Sequence, residues 1–541
     1  MFSLAAAAAA GAAPRVVSRV AIHPDANDVT AAATASSRSR VVAALGTAAV
    51  PGRVHFLVSD APGAWTHDGA FALPAGAGAV RSAAVVEFSR DGARHPTETY
   101  FALGTDQKPG LIVPAGALAG TPLVLEKGED VLATAVASEA FGAELTDRGG
   151  NEFKNTPCFV FATWTSPSRL VRVDVDEETR ALRRAATTTL PLGVNRVRAA
   201  VADPRRLSFG DGSLDADGSR SSTDLSGGAP PFARVAHFAS DTSPSALVTV
   251  RTHDLAIVDA LIFPSSSDSN DSNATTDGSR VFKGAILPLK ETEIEGGAAS
   301  YWVTRPDTTL RRRANGADDV SSAPSASRGS TLFRVTHRRP DGGGAAVTGT
   351  HAFRATERNV AAVSVERTNA SAFGSDAAVV YVAFDAAADG DASVVALAER
   401  RDRRTGAFAG FARIATVAVP GARALTLVRV ADGVATYATR GSPAELVEVD
   451  FFNRRTTTSA LGDDAVVAMC GPDASASEAR ASLESFESSE ILCVAFLNAT
   501  HFGATFLFAG GRVGAGGRRL VSAALAARGA AKGETWRARP C

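Results

Sequence analysis

The sequence predicts an all-β fold, a single β-propeller built from four-stranded antiparallel blades. Three observations predict it. A short motif with a central Ser-Pro recurs along the chain, each repeat contains four short apolar or alternating runs between turn residues, and no segment keeps the 3.6-residue period of an amphipathic helix. Blades of four strands around a central channel are an architecture that such a repeat builds.

The motif is clearest at 162–174, which reads ATWTSPSRLVRVD, and it recurs at 438–450 and 239–250. The eight anchor residues, one from each copy, are Thr47, Thr105, Thr163, Ser240, Thr304, Phe384, Thr439 and Phe496. The shorter intervals between anchors are 55 to 58 residues, which sets the length of one blade. The longer intervals contain Gly-, Ser- and Asp-rich insertions at 208–231, 265–279 and 307–328, which we expect to be surface loops.

Each repeat predicts four strands. In the clearest copy these are Cys158–Thr163, Leu170–Asp174, Thr187–Leu190 and Val197–Ala202, rich in β-branched residues and separated by turns. Proline in the Ser166-Pro167 turn cannot continue a central strand, so the first run must end there.

The two ends of the chain predict how the ring closes. Val17–Ile22 resembles a lone fourth strand, and Ile491–Leu525 supplies three strands without a fourth. Because an open ring exposes unpaired strand edges, we expect these strands to form one shared blade. The count is then eight blades, or seven if one of the degenerate repeats is not a true blade. The propeller is expected over 16–526, after a signal-like or low-complexity start at 1–15 and before a tail at 527–541.

The repeated A-T-x-T/G-S-P-x-x-L-V-x-V-D pattern resembles the YVTN and WD40-like superfamily of propeller repeats, in particular secreted repeats with a TSPG-VVKVDL theme. The resemblance spans Val17–Leu525 and implies the architecture, not an activity. Neither a Trp-Asp dipeptide nor a Gly-His pair recurs, in contrast to the WD40 type. The recurrent tryptophans of eight-bladed quinoprotein dehydrogenases are also missing from the sequence, so no cofactor is expected.

Composition excludes some classes of function. The 541 residues include 56 basic and 57 acidic side chains, a net charge of -1, so the chain lacks the basic field of a general nucleic-acid binder. No apolar run reaches the roughly 18 residues of a transmembrane helix. We expect a monomer.

Several weak signals favour a secreted or luminal glycoprotein over a cytoplasmic protein. Residues 1–13 are apolar and small like a signal peptide, although they lack its basic start. Four sequons lie at Asn270, Asn273, Asn369 and Asn498. In an oxidising compartment Cys470 and Cys493 are candidates for a disulfide, with two buried free thiols as the alternative. The end at Cys541 raises the further hypothesis of a fragment of a larger ectodomain.

Catalytic signals are weak. The nucleophile-elbow, P-loop, dinucleotide-binding and zincin motifs do not occur, and the nine histidines form no pair at metal-ligand spacing in the sequence. The residues that follow the anchors are predicted to ring one mouth of the channel: Ala48, Asp106, Trp164, Asp241, Arg305, Asp385 and Arg440. Among them, Asp106, Asp241 and Asp385 are candidate ligands for a cation or a sugar. Hairpin capping by the aspartates, or ion pairing with Arg305 and Arg440, is the alternative.

The expected function is therefore non-catalytic: a scaffold that binds protein or glycan through its loop faces. A propeller lyase or hydrolase with a divalent cation at the channel mouth is the alternative. Acidic or histidine side chains that converge on the channel from three or more blades would favour the enzyme.

Overall fold

The computed structural model describes residues 14–36, 40–59, 64–88, 98–105, 111–114, 123–124, 133–139, 145–146, 152–153, 158–175, 182–191, 193–203, 207–208, 232–242, 244–264, 279–288, 298–306, 329–337, 344–368, 377–387, 390–402, 404–452, 493–500, 503–510 and 519–525. These residues form strands and turns without a helix, as predicted. Among them, no helix is long and apolar enough to cross a membrane.

The described residues contain seven four-stranded antiparallel sheets, and six of them, blades I to VI, take their strands in chain order. Blade I has β2 Val29–Ser36, β3 Val41–Thr47, β4 Arg53–Ser59 and β5 Trp65–Ala72; blade II has β6 Val80–Phe88, β7 Glu98–Thr105, β8 Leu111–Pro114 and β9 Leu123–Val124; blade III has β10 Ala133–Glu139, β13 Cys158–Thr163, β14 Arg169–Val175 and β15 Leu182–Thr189. Blade IV has β16 Val197–Ala202, β19 Val235–Ser240, β20 Ala246–Arg251 and β21 Ile257–Ile262; blade V has β22 Ser279–Pro288, β23 Ala298–Pro306, β24 Thr331–His337 and β25 Ala346–Ala352; blade VI has β26 Val360–Thr368, β27 Ala377–Phe384, β28 Ala392–Arg401 and β29 Phe408–Val419.

The remaining sheet is a composite blade. It joins β30 Leu425–Ala431, β31 Val434–Thr439 and β32 Glu445–Asp450 to β1 Arg15–Ala21 from the start of the chain. Two short hairpins pair β11 Leu145–Thr146 with β12 Glu152–Phe153, and β17 Leu207–Ser208 with β18 Phe232–Ala233.

The inner strands form a closed ring. The first strand of each blade contacts the first strand of the next, and β30 of the composite blade contacts both β26 and β2. An apolar core lies between each pair of neighbouring blades; between the composite blade and blade I it includes Ile22, Leu57 and Leu446. The second strands are covered on both faces, so every residue of β13 is buried, whereas the outer strand β5 alternates between half-buried and exposed residues.

The N-terminal strand closes the ring, but on a different partner from the predicted one. β1 pairs antiparallel with β32, with Val16 opposite Val449 and Val20 opposite Leu446. The expected shared blade with Ile491–Leu525 is therefore wrong, and so is the count of eight blades. Each blade begins one strand earlier than the sequence indicates, because the strand assigned as fourth is the inner strand of the next blade. The last blade then lacks its outer strand, which β1 supplies.

Residues 453–541 form a separate compact unit. Its described strands are β33 Cys493–Thr500, β34 Gly503–Gly510 and β35 Arg519–Leu525, and they make one antiparallel sheet with β34 in the centre. Residues 1–13 and 527–541, and the predicted insertions except for Ser208 and Ser279 at their ends, lie outside the described residues.

The anchor hydroxyl explains why threonine or serine recurs in the motif. The Arg169 amide, six residues beyond Thr163, donates to the Thr163 hydroxyl at 2.6 Å. The same bond recurs from Arg53 to Thr47 at 3.0 Å, from Ala246 to Ser240 at 2.8 Å and from Glu445 to Thr439 at 2.9 Å. The hydroxyl thus satisfies an amide at the start of the third strand of the blade, next to the hairpin loop.

Replacing Thr163 with valine tests this bond. Thr163 is buried, so Thr163→Val keeps the shape but leaves the Arg169 amide without its acceptor, which costs about 1–3 kcal/mol of unfolding free energy. Denaturant unfolding measures the loss. The control is Thr189→Val on the exposed face of β15 in the same blade, which we expect to be neutral. Equal stability of the two variants would contradict the role of the anchor.

Removing β1 tests the closure. Deletion of residues 1–21 leaves the β32 edge unpaired and removes Val16 from the core between blade VI and the composite blade, so we expect the Tm to fall by about 5 °C or more, with aggregation. Deletion of residues 1–13, which spares β1, is the control and should leave the Tm unchanged. A monomeric protein with the parental Tm after the longer deletion would refute the closure.

Candidate functional site

A β-bulge interrupts the inner strand of every blade from I to VI, at the point where that strand passes the anchor. The residues at the bulges are Thr30, Arg81, Thr134, Arg198, Phe282 and Ala361. A bulge twists the strand locally and redirects a side chain, and bulges are common at the rims of barrels and beside functional sites. The repeated bulge therefore makes the inner strands irregular at one end of the channel.

The residues after the anchors lie at this same end. Their amides donate to carbonyls that lie just before the inner strands: Asp241 to Arg196 at 2.9 Å, Asp385 to Asn359 at 2.8 Å and Arg440 to Ala424 at 2.9 Å. The anchor strand is the second strand of the blade, not the channel-lining strand that the sequence analysis expected. The residues reach the rim because each anchor pairs with the first part of the inner strand.

The channel contains a cavity of about 180 Å³. Its lining is basic and otherwise made mainly of small side chains: Arg81, Arg198 and Lys283 line it together with residues such as Ala199 and Gly284. Six inner strands contribute lining residues, so the charged groups of different blades face one space.

Ion pairs and contacts with aromatic rings hold the arginines at the rim of the channel. Arg198 lies 3.7 Å from Asp241, and both Arg305 and Arg440 lie 3.7 Å from Asp385. The guanidinium groups of Arg198 and Arg305 lie 4.2 Å and 3.4 Å from the centre of the Phe282 ring. These are cation–π contacts, which hold the cations without using their hydrogen-bond donors. Trp164, also predicted at this mouth, lies 5.4 Å from the Arg198 guanidinium.

The basic groups outnumber the acidic ones. Among the described residues, Arg198, Lys283, Arg305 and Arg440 lie at the mouth together with the two carboxylates of Asp241 and Asp385. Lys283 has no hydrogen bond or ion pair within the described part of the chain. The Nε atom of Arg440 is buried and has no hydrogen-bond partner there either.

This environment perturbs the charged groups. Burial, the largest cause, and the neighbouring Arg198, Arg440 and Arg305 together lower the pKa of Lys283 to about 8, against the attraction of Asp385. Burial lowers the pKa of Arg305 to about 10, against the attraction of Asp385. Burial also raises the pKa of Asp241 and Asp385, although their arginine partners oppose the shift.

The predicted metal candidates are only partly brought together. Asp241 and Asp385 both lie at the mouth, where each pairs with arginine, the alternative that the sequence left open. Asp106 lies outside the described residues. Arg198 and Lys283, which lie on the inner strands, are not among the predicted site residues. The signal in the sequence was a basic residue one or two positions after the valine that pairs with the anchor, Val197 or Val281.

The other predicted site residues are less well placed. Cys470, Asn270, Asn273 and Asn369 lie outside the described residues, whereas Cys493 and Asn498 lie on β33. The disulfide and the glycosylation sites stay predictions. Cys158 lies buried in β13.

No protein-family model and no curated protein matches the chain. Three solved structures resemble it at a distance. Sqt1 from Saccharomyces cerevisiae is 11% identical, with 81% of this chain and 100% of that chain covered and a TM-score of 0.39. BBS1N in complex with ARL6DN is 8% identical, covering 82% and 98%, with a TM-score of 0.40. A putative 6-phosphogluconolactonase from Bacteroides uniformis is 10% identical, covering 70% and 83%, with a TM-score of 0.36. These likenesses indicate no ligand or activity, and the likeness to YVTN and WD40-like repeats stays a resemblance.

The lowered pKa of Lys283 predicts how stability depends on pH. Below pH 8 the lysine is charged in both the folded and unfolded states, and folding must bury that charge. Between pH 8 and the ordinary value of 10.5, the unfolded chain binds more protons than the folded one, so stability contributed by this group rises with pH.

Lys283→Met removes this dependence. We expect the variant to have a higher Tm than the parent at pH 7, with a difference that shrinks between pH 8 and 10.5. Thermal unfolding across this range measures it, with Arg183→Met on the exposed face of β15 as the control. A Tm difference that stays constant with pH would contradict the prediction.

Proposed function

We propose that this chain is a non-catalytic propeller scaffold that binds a partner protein and accepts an acidic side chain of that partner at the channel mouth. The observation that carries the proposal is the excess of basic groups there, Arg198, Lys283, Arg305 and Arg440 against Asp241 and Asp385. Within the described part of the chain, the ammonium group of Lys283 and the Nε atom of Arg440 have no hydrogen-bond partner. Basic groups held together without matching acids repel one another, and an anion would relieve that repulsion.

The available donors suit a carboxylate. The ion pairs at Asp241 and Asp385 are 3.7 Å long, beyond a direct charged hydrogen bond, so Arg198 and Arg440 keep donors for a ligand. Arg305 donates through Nε and Nη2 to the Val360 carbonyl, which leaves its Nη1 atom for a ligand. The ammonium group of Lys283 offers three more. Arginine pairs with carboxylate through two parallel bonds, which gives geometric selectivity as well as attraction.

The size of the cavity favours a side chain over a free small molecule. Ligand sites for small molecules usually enclose about 300–1,000 Å³. The cavity here holds about 180 Å³ and is lined by the inner strands of six blades. A partner that covers this end of the propeller would place a single acidic side chain in the cavity and contact the surrounding loops.

The same charges do not support the enzyme alternative. A divalent cation at the mouth would face four basic groups, Arg198, Lys283, Arg305 and Arg440, and two carboxylates that are already paired. The secreted or luminal location remains part of the proposal. Its support is the apolar start and the four sequons.

A peptide of ten glutamates is a direct probe of the mouth. We expect a labelled decaglutamate peptide to bind in fluorescence anisotropy at low salt, and the affinity to fall as NaCl is raised. Arg305→Gln with Arg440→Gln removes two charged donors and should weaken binding by roughly tenfold or more. Thermal unfolding of the same variant checks that it is folded.

The matched control is Arg183→Gln with Arg184→Gln, which removes two exposed arginines from β15. Equal weakening by the two double variants would show that the peptide responds only to overall charge. Absence of binding by the parent protein would refute the proposal, and equal binding of a decalysine peptide would refute the selectivity for acid.

A further inference from the structure

Three histidines that are scattered in the sequence come together beside blade I. His55 lies on β4, His67 on the neighbouring β5, and His23 in the turn between β1 and β2. The Nδ1 atom of His55 is 3.2 Å from Nε2 of His67, and the rings of His23 and His67 stack with centroids 4.5 Å apart. One nitrogen of each ring lies within 4.8 Å of the other two.

We propose that His23, His55 and His67 bind one divalent transition-metal ion, with Zn²⁺ as the reference metal. Imidazole nitrogens suit zinc, copper and nickel, and zinc takes three histidines with a fourth position left for water. Zn–N bonds of about 2.0–2.1 Å in a tetrahedron place nitrogens about 3.3 Å apart. The His55–His67 pair already has that spacing.

His23 is the ligand that must move. Its nitrogen has to approach the other two by about 1.5 Å at most to reach the tetrahedral spacing. Its place in a turn, and not within a strand ladder, makes such a shift inexpensive. The Asp25 amide, 3.2 Å from Nδ1 of His23, orients the ring from within the same turn.

The buried ring of His55 supports a ligand role over a purely structural one. The residue is 0% exposed, and among the described residues the one polar atom within hydrogen-bond distance of its ring is Nε2 of His67, beside Nδ1; its own Nε2 atom has no partner. A buried histidine kept for packing would normally satisfy both nitrogens with hydrogen bonds to ordinary polar groups. The Nδ1 atom faces the other imidazole, and it is the atom that would bind the ion.

The position of the cluster gives the metal a structural consequence. His23 follows the closing strand β1, whereas His55 and His67 belong to blade I. The ion would therefore tie the N-terminal segment to blade I, while the strand ladder ties it to the composite blade. Binding to the folded ring alone raises its stability by mass action.

The test uses the full chain, stripped with a chelator and titrated with ZnCl₂. We expect one equivalent of zinc to remain after desalting and the Tm to rise by about 5 °C with excess metal. His23→Gln and His67→Gln, both at half-buried positions, should each fold with the metal-free Tm and lose both effects.

The matched control is His351→Gln, which changes a half-buried histidine on an outer strand of blade V and should keep both effects. Retained zinc and an unchanged Tm rise in His23→Gln and His67→Gln would overturn the site, because the ion would then be bound elsewhere. Absence of binding by the parent would also overturn it. If one of the two variants fails to fold, the other decides.

Discussion

The pairing of β1 with β32 is the interaction on which the rest of the molecule depends. The basic groups of the mouth come from different blades, with Arg81 on β6, Arg198 on β16 and Lys283 on β22. They face one cavity only when the ring is closed. Without β1 the edge of β32 is unpaired, and the core between the composite blade and blade I loses the residues that follow β1.

Closure of the ring of blades also offsets the electrostatic repulsion among the basic groups at the channel mouth. Positive groups that lower one another's pKa oppose folding, and the closed ring of blades must supply the stability that holds them together. The Phe282 ring beside Arg198 and Arg305 lowers this cost through its π face. Local features that oppose folding are typical of sites maintained for binding, since the rest of the fold offsets them.

The sequence was a good guide to strands and a poor guide to their roles. Cys158–Thr163 is a fully buried strand and Val197–Ala202 a partly buried one, and both have the predicted bounds. In each, a short apolar or alternating run stands between turn residues, which is a strong local signal. The sequence placed the start of each blade one strand too late, because the second strand is more apolar than the inner strand. On the inner strand, alanine, arginine and lysine face the channel. Position in the ring depends on which strands meet around the axis, and no local pattern encodes that.

The two candidate sites differ in how far sequence could reveal them. Asp241, Asp385, Arg305 and Arg440 were found because a repeat places equivalent residues at equivalent points of a ring. Arg198 and Lys283 required the bulge, which changes the direction of a side chain without changing the period. The histidine cluster required the register of β4 on β5 and the path of the turn after β1, which are long-range facts.

The segment formed by β1 and the turn that follows it contacts the composite blade on one side and blade I on the other. These two contacts explain why a metal ion at the histidines would affect stability. On one side, β1 has its ladder to β32, the Ser18 hydroxyl donates to Glu448 at 2.7 Å, and the amide of Ala444 donates to Ala26 at 2.7 Å. On the other side, toward blade I, the contacts are the apolar core, the stacked rings of His23 and His67, and an ion pair of 3.5 Å between Asp25 and Arg53. Both side chains of that ion pair are exposed, so it holds the turn weakly, and apolar contacts are not directional. Coordination is directional, and an ion held by His23, His55 and His67 would fix the turn after β1 against blade I. The contact of this segment with blade I is therefore weaker than its contact with the composite blade, and the three imidazoles meet at the weaker contact.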